Sequence, residues 1–190
     1  MKETLKLTWK LFLICAVAAI LLGFTNMVTA EPIAEQKEKK ATLARQSVMD
    51  AEMFEELDIS QAASGADYKN VMSAFAAYDG QGNAVGAVIG VSATGFNSGM
   101  ELTVGIDKAG VITGVYIGAH NETAGIGTKA MEPSLLSQFA GVAADGSLSV
   151  DTNVAAISGA TKSSKGVVNG INLASVFYGD VVAGMLEEVQ

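Results

Sequence analysis

The chain has 190 residues, 49% of them hydrophobic, with one cysteine, one histidine and a formal net charge of −8 at pH 7. One cysteine excludes an intrachain disulfide and thiol-based metal or redox chemistry, and a lone histidine makes no metal constellation. Beyond residue 40 only Arg45, Lys69, Lys108, Lys129, Lys162 and Lys165 oppose 16 acidic residues, a balance that argues against nucleic acid, which requires clustered cations.

Residues 11–30, LFLICAVAAILLGFTNMVTA, carry no charge over 20 positions, enough to cross a hydrocarbon core of roughly 30 Å as one helix. Lys2, Lys6 and Lys10 outweigh Glu3 on the near flank. By the positive-inside rule that excess keeps the N-terminus cytoplasmic and sends the remainder outside. Trp9 stands where an interfacial aromatic anchor would, and Cys15 lies inside the span as a small hydrophobe. A cleaved signal peptide is the competing reading, because residues 11–24 are the most apolar part and Val28-Thr29-Ala30 resembles a small-x-small cleavage site. Both readings export the rest of the chain.

Pro32 suits a first helical turn, and residues 34–57, rich in Ala, Glu, Gln and Lys without Gly or Pro, predict one helix. Residues 59–69 read as a loop. From Val71 the pattern takes on the period of strands, predicted at 71–78, 84–93, 100–106 and 111–119. The DGQGN and DKAG turns at 79–83 and 107–110 make antiparallel hairpins of the first and last pairs. Gly86, Gly90, Gly114 and Gly118 within those strands predict bulges or a close approach by another layer or a ligand.

Next comes HNETAGIG at 120–127, a Gly-punctuated polar loop after a strand. His120 fits a turn or a cofactor pocket, and the lone Glu122 is a general base or a loop hydrogen-bond acceptor. Lys129 either balances a phosphate or faces water. Pro133 and Ser134 open a short helix to about Phe139, and residues 148–157 read as strand or extended chain. In SGATKSS at 158–164, Ser158, Gly159 and Ala160 are small enough for the backbone to approach a bulky group. Thr161 offers a hydroxyl where a helix begins, with Lys162 beside it and Lys165 close by. Helix-start N–H groups and the dipole favour a phosphate there; the plainer alternative is that Ser158, Thr161, Ser163 or Ser164 caps the helix. Val167, Ile171, Ala174, Tyr178, Val181 and Met185 then recur at helical spacing, giving a face that packs on the sheet.

Three separated features, the anchor followed by PIAEQ, the segment GIDKAGVITGVYIGAHNETAGIG, and VAAISGATKSS, together resemble the G subunit of the Rnf electron transport complex. That family shares its FMN-binding domain with the C subunit of the sodium-translocating NADH:quinone oxidoreductase. The resemblance covers nearly the whole chain in order. It implies an α+β fold: cytoplasmic residues 1–10, a transmembrane helix over 11–30, a helical stalk and loop over 31–69, and an extracytoplasmic FMN-binding domain over 70–190 with an antiparallel-rich sheet packed by helices. It further implies FMN joined through its phosphate to Thr161, with Ser158, Gly159, Ala160 and Lys162 around the attachment. The family's ETPGLG loop, placed beside the flavin, corresponds to Glu122, Thr123, Gly125 and Gly127, with Ala124 for Pro and Ile126 for Leu. Implied partners are the other membrane and peripheral subunits of the complex, and a flavin transferase for maturation. One departure is Ala155, where the transferase's recognition element carries Asp; the nearest preceding acid is Asp151. A non-covalent or empty site is the alternative that this departure leaves.

The leading functional reading is therefore an electron-carrying subunit of an ion-translocating complex, with no complete activity alone and no catalytic or metal-binding residue of its own. Two others are an anchored or secreted flavin-dependent reductase, which needs acid/base groups beyond one His and one Glu, and a cofactor-free anchored interaction domain.

Overall fold

The computed structural model describes residues 2–188. Its elements divide into two compact units, residues 1–42 and 43–190. The first is helix throughout its described residues, the greater part of α1 (Lys2–Val48). Leu11, Phe12, Leu13, Ile14, Ile20, Leu21, Leu22 and Phe24 are all exposed along it. This stretch of α1 therefore carries an exposed apolar surface, as a helix solvated by lipid would.

The second unit is built on a five-stranded antiparallel meander in the order β1-β2-β3-β4-β5: β1 (Met53–Glu56), β2 (Val71–Tyr78), β3 (Ala84–Thr94), β4 (Ser98–Asp107) and β5 (Ile112–Ile117). Asp79 and Asp107 close the two predicted hairpins by accepting backbone N–H bonds from Gln81 and Asn83, and from Ala109 and Val111. Such Asx turns are why the acidic-Gly stretches end strands.

Helix α1 stops at Val48, and the stretch 53–56, expected to continue a helix to residue 57, pairs with β2 instead, Met53 opposite Tyr78 and Glu56 opposite Phe75. MDAEMFEEL has helical composition, but the open edge of β2 offers it a row of hydrogen bonds, and tertiary pairing overrides so weak a propensity. Within the predicted 59–69 loop lies one short helical turn, α2 (Ser60–Ala63).

Each face of the sheet has its own cover. One carries Ala74, Ala76, Ala87, Ile89, Val91, Leu102, Val104, Ile106 and Ile112 into the main core. Covering it are α3 (Pro133–Leu136) and the long C-terminal run of α4 (Thr161–Phe177), a π turn (Tyr178–Val182) and α5 (Ala183–Glu188). The predicted helical face is the packed one: Val167, Ile171, Ala174 and Tyr178 are buried and Val181 is partly so. Tyr178 donates its hydroxyl to the Asp107 carbonyl at 2.9 Å, and burial first, then Asp107, raises its pKa above the ordinary tyrosine value.

On the opposite face Val48 and Met49 cluster with Ala77 and Val88. A Cβ at Gly105 would lie 2.4 Å from the Val48 carbonyl oxygen, and one at Gly114 would lie 3.0 Å from the Val48 Cα. Thr113 donates its hydroxyl to that carbonyl. The approach anticipated over Gly114 is thus made by the chain leaving α1, whereas at Gly86 a Cβ would meet the β4 backbone first, 2.3 Å from the Ile106 carbonyl oxygen. Over Gly90 the close neighbour is the Ser73 hydroxyl, while Gly118 has nothing nearer than 3.8 Å.

Candidate functional site

The site is assembled where α4 begins. Its second turn rests on the end of β3: a Cβ at Gly166 would lie 2.6 Å from both the Gly95 Cα and the Thr94 carbonyl oxygen, so only glycine lets the helix backbone settle on the strand. Gly170 and Ala174 continue that contact side, both buried.

None of the anticipated hydroxyls caps α4. Ala160 occupies the cap position with φ −128° and ψ 23°, and no side-chain cap bond is made. Ser164 is occupied elsewhere, donating to the Ala160 carbonyl at 3.0 Å and accepting from the Ile157 N–H at 3.2 Å. Ser163 donates to the Glu122 Oε2 at 2.6 Å. Ser158 and Gly159 are exposed, and Gly159, at φ +79°, turns the chain into the helix with nothing within 4 Å of where a Cβ would stand. Thr161 is left at the first helical position, exposed, with no hydrogen-bond partner among the described residues.

That combination suits a phosphate. The N–H groups of a helix's first turn have no intrahelical acceptor, and the dipole adds a partial positive charge at the same place. An anion can use both, because no side chain has taken them. Lys162 projects next to Thr161 with its ammonium 5.1 Å from the centre of the Phe96 ring. Lys165 is exposed one turn further on. These cations sit in a unit whose other charges are mostly acidic.

The loop anticipated beside the site is brought to it by Glu122. This side chain is only 7% exposed; its Oε2 accepts from Ser163 and its Oε1 accepts the Asn97 N–H at 3.0 Å. Thr123, Gly125 and Gly127 follow in a turn closed on itself: Ile126 and Thr128 donate N–H groups to the Thr123 carbonyl, and Gly125 donates to the Thr128 hydroxyl. Thr123 and Gly125 are exposed, whereas Gly127 is buried against the carboxylate. A Cβ at Gly127 would fall 2.2 Å from the Glu122 Oε2, and one at Gly95 would fall 2.6 Å from its Oε1. The two glycines leave room for the carboxylate. His120 is exposed at the start of this loop, and Lys129 is exposed just beyond it.

The turn between β3 and β4 contributes residues that carry little sequence signal, since Gly95, Phe96 and Asn97 read, like the neighbouring glycines, as plain turn residues. Gly95 holds the helix and the carboxylate. Asn97 bonds both to Glu122 and, through its Nδ2, to the Asn121 carbonyl at 2.7 Å. Phe96 stands 62% exposed beside Lys162. An aromatic at a hairpin tip is the one signal that marks it. Ala155 is held by Gln138, which accepts the Ala155 N–H at 2.9 Å and donates to its carbonyl at 3.1 Å.

Comparison with known proteins puts these residues in one family. The family model described as FMN-binding domain matches residues 95–175, a span that opens at Gly95 and includes both the Glu122 loop and Thr161. The G subunit of the Na(+)-translocating ferredoxin:NAD(+) oxidoreductase complex of Acetobacterium woodii is 35% identical over 202 aligned residues, covering 93% of this chain and 96% of that protein. The G subunit of the ion-translocating oxidoreductase complex of Methanosarcina acetivorans is 33% identical, with 91% and 93% covered. Among solved structures, NqrC of Shewanella oneidensis aligns over 61% of each chain at 24% identity with a TM-score of 0.49. With a third or more of its residues shared along nearly its full length, the chain belongs to the family of G subunits of ion-translocating, Rnf-type oxidoreductase complexes.

Proposed function

We propose that this chain is the flavoprotein subunit of a membrane-bound ion-translocating electron transport complex, carrying FMN through a phosphate ester to Thr161. The observation that carries this reading is the state of the first turn of α4: an exposed, unpartnered hydroxyl at the first helical position, on a helix start that no side chain caps. The FMN-binding-domain match over residues 95–175 and the names of the relatives supply the cofactor class and the setting. When bound, FMN supplies the electron-transfer chemistry, which no side chain of this chain can perform.

The chain's own residues bind and orient. The Thr161 hydroxyl is the attachment point, and Ser158, Gly159 and Ala160 are small enough to leave the approach to it open. The free N–H groups of the first turn and the Lys162 ammonium offset the negative phosphate. Lys162 can exchange its place over the Phe96 ring for the phosphate without moving its backbone. Glu122, Thr123, Gly125 and Gly127 form the wall on the other side. A flavin transferase installs the group on the exposed segment, and the remaining subunits of the complex are the electron donor and acceptor.

The same proposal places α1 in the membrane as a single span over residues 11–30, with Lys2, Lys6 and Lys10 on the cytoplasmic side and residues 70–190 outside. A tethered carrier works at high effective concentration near fixed partners without tight contacts.

Mass spectrometry of the peptide containing Thr161, from protein made in a flavinylating host, tests the assignment. The peptide gains FMN less one water, and Thr161→Ala loses the adduct completely. An adduct that survives this substitution moves the attachment elsewhere.

A further inference from the structure

Two hydroxyls on the first turn of α4 are treated in opposite ways. Thr161 points to solvent; Ser163, two residues on, is 2% exposed and spends its proton on the Glu122 Oε2. Among the described residues Glu122 is the one acidic residue whose side chain is buried, and neither the Lys6–Glu3 nor the Lys39–Glu35 ion pair involves it. A buried carboxylate without a cation is costly unless its oxygens are satisfied. Here one oxygen takes Ser163 and the other the Asn97 N–H, and the positive end of α4 lies alongside.

We propose that Glu122 is the positioning residue of the attachment turn, anchoring the start of α4 from its side through Ser163 so that the end of the helix can stay uncapped. This inference rests on the reading of Thr161 as the FMN attachment site. A helix start frays unless something holds it, and the ordinary remedy is a Ser, Thr or Asp cap, whose oxygen occupies the N–H of the second or third residue. A phosphate on Thr161 needs those same N–H groups. Anchoring by the Ser163 side chain holds the turn and spares them. The rest of the clasp does not depend on Ser163: Asn97 Nδ2 bonds to the Asn121 carbonyl, and Asn121 Nδ2 bonds to the Ser98 carbonyl at 3.1 Å. Loss of the Ser163 hydroxyl therefore frees the helix start and leaves the loops joined.

The test uses the full-length flavinylated chain and the variants Ser163→Ala, Glu122→Ala and Glu122→Gln. Glutamine keeps the bridge, accepting from Asn97 with its carbonyl and donating to the Ser163 hydroxyl with its amide. Time-resolved fluorescence anisotropy of the flavin reads local motion, and amide exchange at Ser164, whose N–H closes on the Ala160 carbonyl at 2.8 Å, reads opening of the turn. Ser163→Ala and Glu122→Ala should at least double the amplitude of fast depolarisation and speed Ser164 exchange at least tenfold, while Glu122→Gln stays at the wild-type values. If Glu122→Ala does not fold, Ser163→Ala decides. Wild-type anisotropy and exchange in Ser163→Ala would overturn the inference even with flavin in place. Should the wild-type chain carry no flavin, the Thr161 reading fails, and Ser164 exchange in the two alanine variants still judges the anchor.

Discussion

Among the described residues two helical stretches are long and apolar enough to cross a membrane, residues 2–48 and residues 161–187, and they dispose of their apolar side chains in opposite ways. In the most apolar window of the first nothing is buried, whereas 56% of the second's is. The second, α4 and its continuation, buries Gly166, Gly170 and Ala174 along with Val167, Ile171 and Phe177. Small residues bring it close to the strands and large ones fill the core. The first carries large apolar side chains over residues 11–24, with Leu22 72% and Ile20 70% exposed. Hydropathy alone therefore does not separate a core helix from a membrane span; the distribution of small residues and the available partner do.

One substitution made in both helices should break the resemblance between them. Ile171→Lys puts an unpaired charge where the side chain is 0% exposed, a cost of about 4 kcal/mol or more that approaches the whole stability of a domain. Circular dichroism should show the second unit unfolded. Leu22→Lys should leave that unit folded and instead weaken insertion by about 2.5–3.5 kcal/mol, read as the fraction recovered with membranes. Unfolding by Leu22→Lys would mean that α1 is packed like α4.

A smaller effect sharpens the account of why α4 lies so close to the sheet. Gly166→Ala places a methyl 2.6 Å from the backbone of Gly95 and Thr94, overpacking that should cost about 1–3 kcal/mol in denaturant unfolding. Gly179→Ala, in the same helical run with open space around it, should be neutral or slightly stabilising. Equal losses at both positions would contradict the close contact.

The smallest effect concerns the turns of the sheet, away from both helices. Asp79 is partly exposed, and bonds from the Asn83 side chain first, then from backbone N–H groups, hold its pKa below the ordinary carboxylate value. With the folded value the lower one, the unfolded state binds more protons between the two, so the contribution is present above the unfolded value and is lost as pH falls through the folded one. Asp79→Asn should flatten the fall of Tm with acid below about pH 4. An unchanged slope would remove Asp79 from the acid response.

Much of the sheet was legible because its signals are local. Alternation over 71–78 and the acidic-Gly turns specify strand and hairpin without reference to the rest of the chain. Residues 49–57 misled because their partner, the edge of β2, lies elsewhere in the sequence. Gly114 in β5 signalled a close approach, yet nothing in its neighbourhood said that Val48 would make it. The start of a helix at Thr161 was legible in the residue types, while the bond between Glu122 and Ser163, which brings the Glu122 loop to that helix, spans 41 positions and has no sequence signature. Nor could residue types tell that Ala160, rather than any of four nearby hydroxyls, would sit at the cap. That absence of a cap is what leaves the first turn open to a phosphate.

The most direct test of the account is the mass of the peptide bearing Thr161, taken from the chain purified out of its native membrane. The account predicts that peptide heavier by FMN less one water, with the fragment ions placing the increment on Thr161 and not on Ser158, Ser163 or Ser164. A native preparation in which the Thr161 peptide is wholly unmodified would contradict it.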